Sequence, residues 1–320
     1  MDRLLKEKIK LKPIKLILDT DVGSDCDDMM AISYMIAAEK KGLVKTLAIT
    51  LSHPAEHAAA GIRALYRSYG AETPVMGQMS REIPRGDWYG KKIYEKFGCE
   101  EDLAPVCDAV SLLRKTLAES DGKVTLCAIG PLNNVADLLE SKPDEISPLC
   151  GAELVKEKCD RLVLMAGGFV PDKNGKNVPE WNVKVCIESS QKVFELCKND
   201  IYLLPFEAAL TMITGKYAVK TLGDSTPLTL AFVNFYGSEG RSSWDPATLL
   251  WTVVGNRDLF TFSEAGRVYV DDIGTTDFTA DENGNCRIIG INQLENESFE
   301  DAQKRVASYI DGAVNEILGI

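Results

Sequence analysis

The run Asp19-Thr-Asp21-Val-Gly23-Ser-Asp25-Cys-Asp27-Asp28 sets five carboxylates within ten residues, between the apolar segment Ile14–Leu18 and the apolar stretch Met29–Ile36. The flanks demand burial, so the acidic turn is carried to the edge of a core. Two carboxylates about 4 Å apart repel by roughly 4 kcal/mol at an effective dielectric near 20. A folded cluster of them needs either protonation or a cation. An all-oxygen donor set suits magnesium or calcium, and a crowd of carboxylates on a glycine-containing loop favours calcium, the larger and less geometrically demanding ion. A solvated turn at a helix N-terminus accounts for one or two aspartates through the helix dipole, but not for five. An EF-hand loop is excluded, because the sixth and twelfth positions counted from Asp19 are Ser24 and Met30 rather than Gly and Glu.

Short β-branched or leucine-rich runs recur along the chain at Ile14–Leu18, Leu43–Leu51, Val124–Ile129, Arg161–Ala166 and Ile201–Pro205. Both faces of each are apolar and each ends near Gly, Pro, Asp or Ser, the pattern of buried parallel strands. Helical periodicity fills the intervals at Asp28–Lys41, Ala55–Tyr69, Val106–Ser120, Leu132–Glu140 and Ser189–Lys198. The alternation predicts an α/β chain with a mostly parallel, doubly wound, Rossmann-like sheet whose ligand site lies outside the carboxyl ends of its strands. Beyond residue 205 the pattern loosens into helices near Thr226–Tyr236 and Pro246–Val254, extended runs near Arg267–Asp271 and Arg287–Ile291, and a terminal helix from Phe299. No linker, repeat or low-complexity tract interrupts residues 1–320, so one domain is expected. The least regular stretches, 78–105 and 141–159, read as surface insertions placed to cover a site.

The chain has 320 residues, 45% of them hydrophobic and 26% charged, enough to bury a large core. A net charge of -12 disfavours nucleic acid as a partner, since phosphate binding requires a basic surface, and favours a small neutral or cationic ligand. Nine cysteines without a CxxC pair, mostly inside apolar runs, read as reduced thiols of a cytoplasmic protein. The basic start MDRLLKEKIKLKPIK has no apolar h-region and no stretch reaches eighteen apolar residues, so neither an export signal nor a membrane span is expected.

Five motifs follow one another over residues 14–250: Asp19-Thr-Asp21-Val-Gly23 with Asp27-Asp28-Met-Met-Ala31, Gly130-Pro-Leu-Asn-Asn134, Met165-Ala-Gly-Gly168, Asn177-Val-Pro-Glu180-Trp-Asn182 and Trp244-Asp245-Pro-Ala247. In this order they resemble the signature of the inosine-uridine preferring nucleoside hydrolase family. The family motifs read Asp-x-Asp-x-Gly-x-Asp-Asp-x-x-Ala, Gly-Pro-Leu-Thr-Asn, Met-Gly-Gly, Asn...Glu-Phe-Asn and His-Asp-Pro-Leu. The resemblance implies the nucleoside hydrolase fold and an N-ribosyl hydrolase that splits nucleosides into ribose and base, as in purine or pyrimidine salvage. It implies calcium held by Asp21, Asp27, Asp28, the backbone carbonyl of Asn133 and Asp245, with the ribose 2′- and 3′-hydroxyls on the same ion. Asp21 would activate the attacking water as general base, and Asn177, Glu180 and Asn182 would hold the sugar, with Asp19 supporting them. A homo-oligomer is compatible with this reading.

This chain also departs from the pattern. Two residues, Asp25 and Cys26, are inserted before the aspartate pair, and Cys186 stands near a position often occupied by Asp. Trp244 replaces the usual His, and an indole N–H does not titrate usefully as an acid. Of the two histidines, His53 follows the second strand and is a candidate for the pocket wall. Two other readings stay open: a phosphatase-like hydrolase with Asp19 as nucleophile, in the manner of the haloacid dehalogenases, and a calcium or nucleoside binding protein without turnover.

Overall fold

The structure, a computed structural model, describes residues 12–79, 86–173, 175–255 and 258–320. The basic N-terminal stretch read above lies mostly outside the described residues. Strand β1 (Ile14–Thr20) turns Leu16 and Leu18 into one hydrophobic cluster and Ile17 into a second on the opposite face. A strand buried on both sides is the signature of a parallel sheet covered by helices.

The remaining strands are β2 (Val44–Leu51), β3 (Val75–Gln78), β4 (Cys107–Asp108), β5 (Val124–Ala128), β6 (Cys159–Met165), β7 (Asp200–Leu204), β8 (Ile213–Thr214), β9 (Arg241–Ser242), β10 (Phe260–Phe262), β11 (Gly266–Val270), β12 (Thr276–Ala280) and β13 (Cys286–Ile291). The main sheet runs β12-β11-β13-β7-β6-β5-β1-β2-β3-β4, parallel from β13 to β4, with β10 added against β13; β8 and β9 form a separate antiparallel ribbon. The chain winds outward from β1 to β4 and then restarts at β5 on the other side of β1. The crevice between the carboxyl ends of β1 and β5 is therefore the topological switch point, where doubly wound folds bind ligands. Asp19 sits there, in register with Thr50 of β2 and Ala128 of β5.

The helix Asp27–Lys40 is buried along its first twelve residues, Asp27 through Ala38. Buried all round, it is a central helix rather than a surface one. It packs between the sheet, the helix Trp244–Val254 and the C-terminal helix Phe299–Leu318. Among the described residues no helix is long and apolar enough to cross a membrane.

Two expectations need correction. The helix predicted from Val106 starts at Ala109, because Cys107 and Asp108 pair with β3 and the Asp108 side chain then caps the helix by accepting from the Ser111 N–H at 2.8 Å. Residues 141–159 do not cover the site. The buried Arg114 ties them down through Asp144 (2.8 and 2.7 Å), Ser141 and the carbonyls of Ser147 and Leu149. Ile146 also shares a surface cavity with Lys15 and Lys45 near the amino ends of β1 and β2, opposite the acidic loop. Part of the 78–105 stretch lies outside the described residues, but its described part does cover that loop. The Trp88 N–H donates to the Gly23 carbonyl at 3.0 Å, and the buried Tyr89 hydroxyl bridges the Gly23 N–H (2.9 Å) and the Asp25 carbonyl (2.6 Å).

One glycine fixes the approach of β5 to β1. A Cβ at Gly130 would lie 2.9 Å from the Asp21 nitrogen and clash with the Ser52 hydroxyl. Gly130→Ala is expected to destabilise the fold by about 1–3 kcal/mol, since it forces two strand-end loops apart. A melting curve of the variant checks this, and an unchanged midpoint would show that the loops yield without cost.

Candidate active site

At the switch point the acidic loop folds back over β1. The Ser24 hydroxyl donates to Asp21, and the Thr20 hydroxyl and the Asp21 N–H (3.2 Å) donate to Asp28 Oδ1. Asp27 and Asp28 open the central helix, whose N-terminal N–H groups favour negative charge. Asp245 opens the helix Trp244–Val254 and faces them, its N–H donating to Asp27 Oδ2 at 3.2 Å. Carboxylate oxygens of Asp27, Asp28 and Asp245 lie within 4.8 Å of one another.

Burial pushes the carboxyls of Asp27, Asp28 and Asp245 well above the ordinary range, and their mutual charges, with those of Asp21 and Asp25, push further. Asp28 Oδ2 is buried with no hydrogen-bond partner. A wholly buried carboxylate oxygen without a donor is costly. A hard cation relieves both the repulsion and the missing partner, so the residues present fit an oxygen-ligated divalent ion.

Beside this cluster lies a cavity of about 200 Å³ whose wall includes Asp21, Asp27, Asp245, Glu180, Asn182 and Trp244. Glu180 precedes the short helix Trp181–Lys184 and accepts backbone N–H bonds from Asn182 (2.8 Å), Val183 (3.2 Å) and Gly167 (3.2 Å). Burial nevertheless carries its pKa up to about 7. The Asn182 amide nitrogen donates to the carbonyls of Ile129 and Met165, both at 3.1 Å, which turns its oxygen to other partners.

The structure does not bring every candidate to that wall. Asp19 lies beneath the loop, fully buried, with Oδ1 accepting from Thr50 (2.5 Å) and Asn134 (2.7 Å) and its pKa carried up by burial to about 7. Asn177 donates to Thr276 and Asp277 at the sheet edge, both at 2.8 Å. His53 is buried at the end of β2, and neither it nor Asn177 lines the cavity. Asn133 begins the helix after β5, with its amide on the Ser52 carbonyl and Met79 sulfur. Cys186, which the sequence left without a role, ties the two loops together: its sulfur accepts the Leu132 N–H (3.2 Å) and donates to the Asn182 carbonyl (3.0 Å).

Sequence reasoning missed Arg241. Its guanidinium grips the inserted Asp25 with Nη2 at 2.6 Å and Nε at 3.0 Å, and both residues line the cavity. It also lies 4.9 Å from the Trp244 ring centre and 4.8 Å from that of Tyr236. Trp244 in turn stacks on Phe206 and gives its indole N–H to the Phe206 carbonyl at 2.8 Å. The available signal was the surplus acid itself, since one more carboxylate beside Asp21, Asp27 and Asp28 requires its own cation.

A doubly wound sheet with a buried carboxylate cluster able to hold a cation at its switch point, beside a cavity walled by carboxylates, an amide, an arginine and aromatic rings, is the layout of an α/β enzyme. The chain belongs to the inosine-uridine preferring nucleoside hydrolase family, which it matches over residues 16–301. The family comprises metal-dependent ribonucleoside hydrolases, enzymes that cleave N-glycosidic bonds. The pyrimidine-specific ribonucleoside hydrolase RihA of Salmonella arizonae is 30% identical over 278 residues, 78% of this chain and 82% of the relative. Two solved structures share the fold: the plant nucleoside hydrolase PpNRh1 (TM-score 0.69, 22% identity, 94% of this chain and 99% of that one) and the inosine-uridine preferring nucleoside hydrolase of Bacillus anthracis (TM-score 0.64, 18% identity, 92% and 99%).

Proposed function

We propose that the protein hydrolyses the N-glycosidic bond of ribonucleosides with calcium as its cofactor and Asp21 as general base. The observation that carries this reading is the convergence of Asp27, Asp28 and Asp245 around an unsatisfied buried carboxylate oxygen, with Asp21, Glu180 and Asn182 on the adjoining wall. Calcium would be held by Asp21, Asp27, Asp28, Asp245 and the Asn133 carbonyl, and when bound it supplies Lewis-acid polarisation to hydroxyl and water oxygens. Asp21 takes the proton of the water that attacks C1′, and the C1′–N bond breaks with its electron pair going to the base. Glu180, locked by three backbone N–H groups, and the Asn182 oxygen, freed by the commitment of its nitrogen, position the ribose hydroxyls. Asn177 and His53 stand outside this set, at the sheet edge and behind the loop. The unpaired state of all nine cysteines suits a reducing compartment such as the cytoplasm.

Asp19 is fully buried and off the cavity wall, which argues against a phosphate-accepting nucleophile there. Incubation with a panel of nucleosides and phosphate monoesters is expected to release ribose and free base. Phosphate release instead would support the Asp19 chemistry, and tight nucleoside binding without products would make the protein a binder.

A further inference from the structure

We propose that Arg241 is the leaving-group residue of this site, a fixed cation that meets the departing base in place of a proton donor; this rests on the ribonucleoside hydrolase reading. Bond cleavage leaves an electron pair, and so negative charge, on the base. Most of the titratable side chains around the cavity are acids, namely Asp21, Asp25, Asp27, Asp245 and Glu180, and an anion departing past them is repelled. Arg241 is the one lysine, arginine or histidine among the described residues of the wall. Trp244 offers the base no hydrogen-bond donor, because its indole N–H is spent on the Phe206 carbonyl.

The arginine is built in rather than adventitious. Its backbone belongs to the β8–β9 ribbon, paired with Thr214, and its side chain is four-fifths buried. Nε and Nη2 are committed to Asp25, whose own carbonyl is held by Tyr89, while Nη1 makes no hydrogen bond to the described residues. The aromatic rings of Trp244, Tyr236 and Phe235 fence the guanidinium at 4.9, 4.8 and 5.5 Å. Asp25 holds two of its nitrogens and so aims the guanidinium, which keeps its charge and offers the N–H groups of Nη1 to the base. An arginine cannot hand over a proton at ordinary pH. The base therefore leaves as a hydrogen-bonded anion and takes its proton from water afterwards, while the oxygen of the attacking water forms the new bond to C1′ and its proton passes to Asp21. Asp21 then releases that proton to the hydroxide left when the base is protonated, so atoms and charge balance as nucleoside plus water to ribose plus neutral base. The insertion of Asp25 thereby acquires a purpose, as the clamp that aims this group.

The test compares wild type, Arg241→Ala and Arg241→Gln on two substrates: the natural nucleoside turned over best, and 4-nitrophenyl riboside, whose phenolate departs without assistance. Arg241→Ala is expected to lower kcat on the nucleoside by roughly 10²–10³-fold, the usual effect of removing one charge-stabilising donor. On the nitrophenyl riboside the loss should stay below about tenfold, and added guanidinium ion should restore part of the nucleoside rate in Arg241→Ala. Arg241→Gln, which keeps most of the side-chain volume and one amide donor, should fall between. An equal loss on both substrates, or nucleoside turnover unaffected in both variants, overturns the assignment and leaves Arg241 a packing residue. A wild-type protein that cleaves neither substrate overturns the hydrolase reading itself, a separate outcome.

Discussion

Asp21→Asn is expected to lower turnover by roughly 10²–10⁴-fold while the substrate still binds, which is the usual cost of removing a general base. Asparagine has the same shape and can still accept from the Ser24 hydroxyl that holds Asp21, so the loop keeps its form. It loses the basicity that draws the proton from the attacking water, and it removes one negative charge from the cation site. Assays at saturating calcium separate these two effects, because only weakened ion binding is recovered by more ion. Asn182→Ala acts differently: its oxygen is offered to the sugar, so both kcat and kcat/KM should fall through lost transition-state contacts. Small and equal effects from the two substitutions would place neither residue in the site.

The second large effect concerns the cation site. Saturating calcium should raise the melting temperature by roughly 5–10 °C over chelated protein, as an ion present at about a thousand times its Kd stabilises by about 4 kcal/mol. The pH dependence of the chelated protein has a definite sign. Asp27, Asp28 and Asp245 have folded pKa values raised by burial and mutual repulsion, and burial takes Asp19 and Glu180 to about 7. A carboxyl raised in the fold binds more protons folded than unfolded, so its favourable contribution is lost as pH climbs from about 4 through the folded value. Chelated protein should therefore melt higher at pH 5.5 than at pH 7.5. Calcium should reverse that trend, since protons and the ion compete for the same oxygens. Melting curves with and without chelator at the two pH values test both statements, and a protein indifferent to calcium and chelator would remove the metal from the mechanism.

The sequence made the parallel core legible because strands such as β1 and β5 are apolar on both faces and the acidic loop announces where they end. The edge of the sheet was not legible. β4 has two residues and β3 four, too short for periodicity to register. Residues 141–159 misled because polarity alone does not say at which end of the strands a loop emerges; the buried Arg114, whose partners lie 27 to 35 residues further along the chain, is what places them. Within the candidate site, Asp21, Asp27 and Asp28 could be named because carboxylates crowded at the end of a buried strand repel one another unless a cation or protons neutralise them, whereas Asp245 was reached only through the resemblance of Trp244-Asp245-Pro-Ala247 to the family motif. Arg241 escaped because its partner Asp25 is 216 residues away and only the fold brings the two together.

The β8–β9 ribbon has no hydrogen-bonded place in the main sheet, while Asp27 and Asp28 open a helix sunk in the core and Asp245 opens the helix that follows the ribbon. The enzyme is thus divided into a conservative half and a permissive half. Alterations around Asp27 and Asp28 disturb the hydrophobic interior and are punished as misfolding. Changes at the part-buried Arg241 or in its Asp25 clamp alter what lines the cavity. For a designer seeking new base preference, Arg241 and Asp25 are the pair to vary, while the left-handed Gly240 and the buried Ser242 and Ser243, which lead into the helix of Asp245, stay as they are.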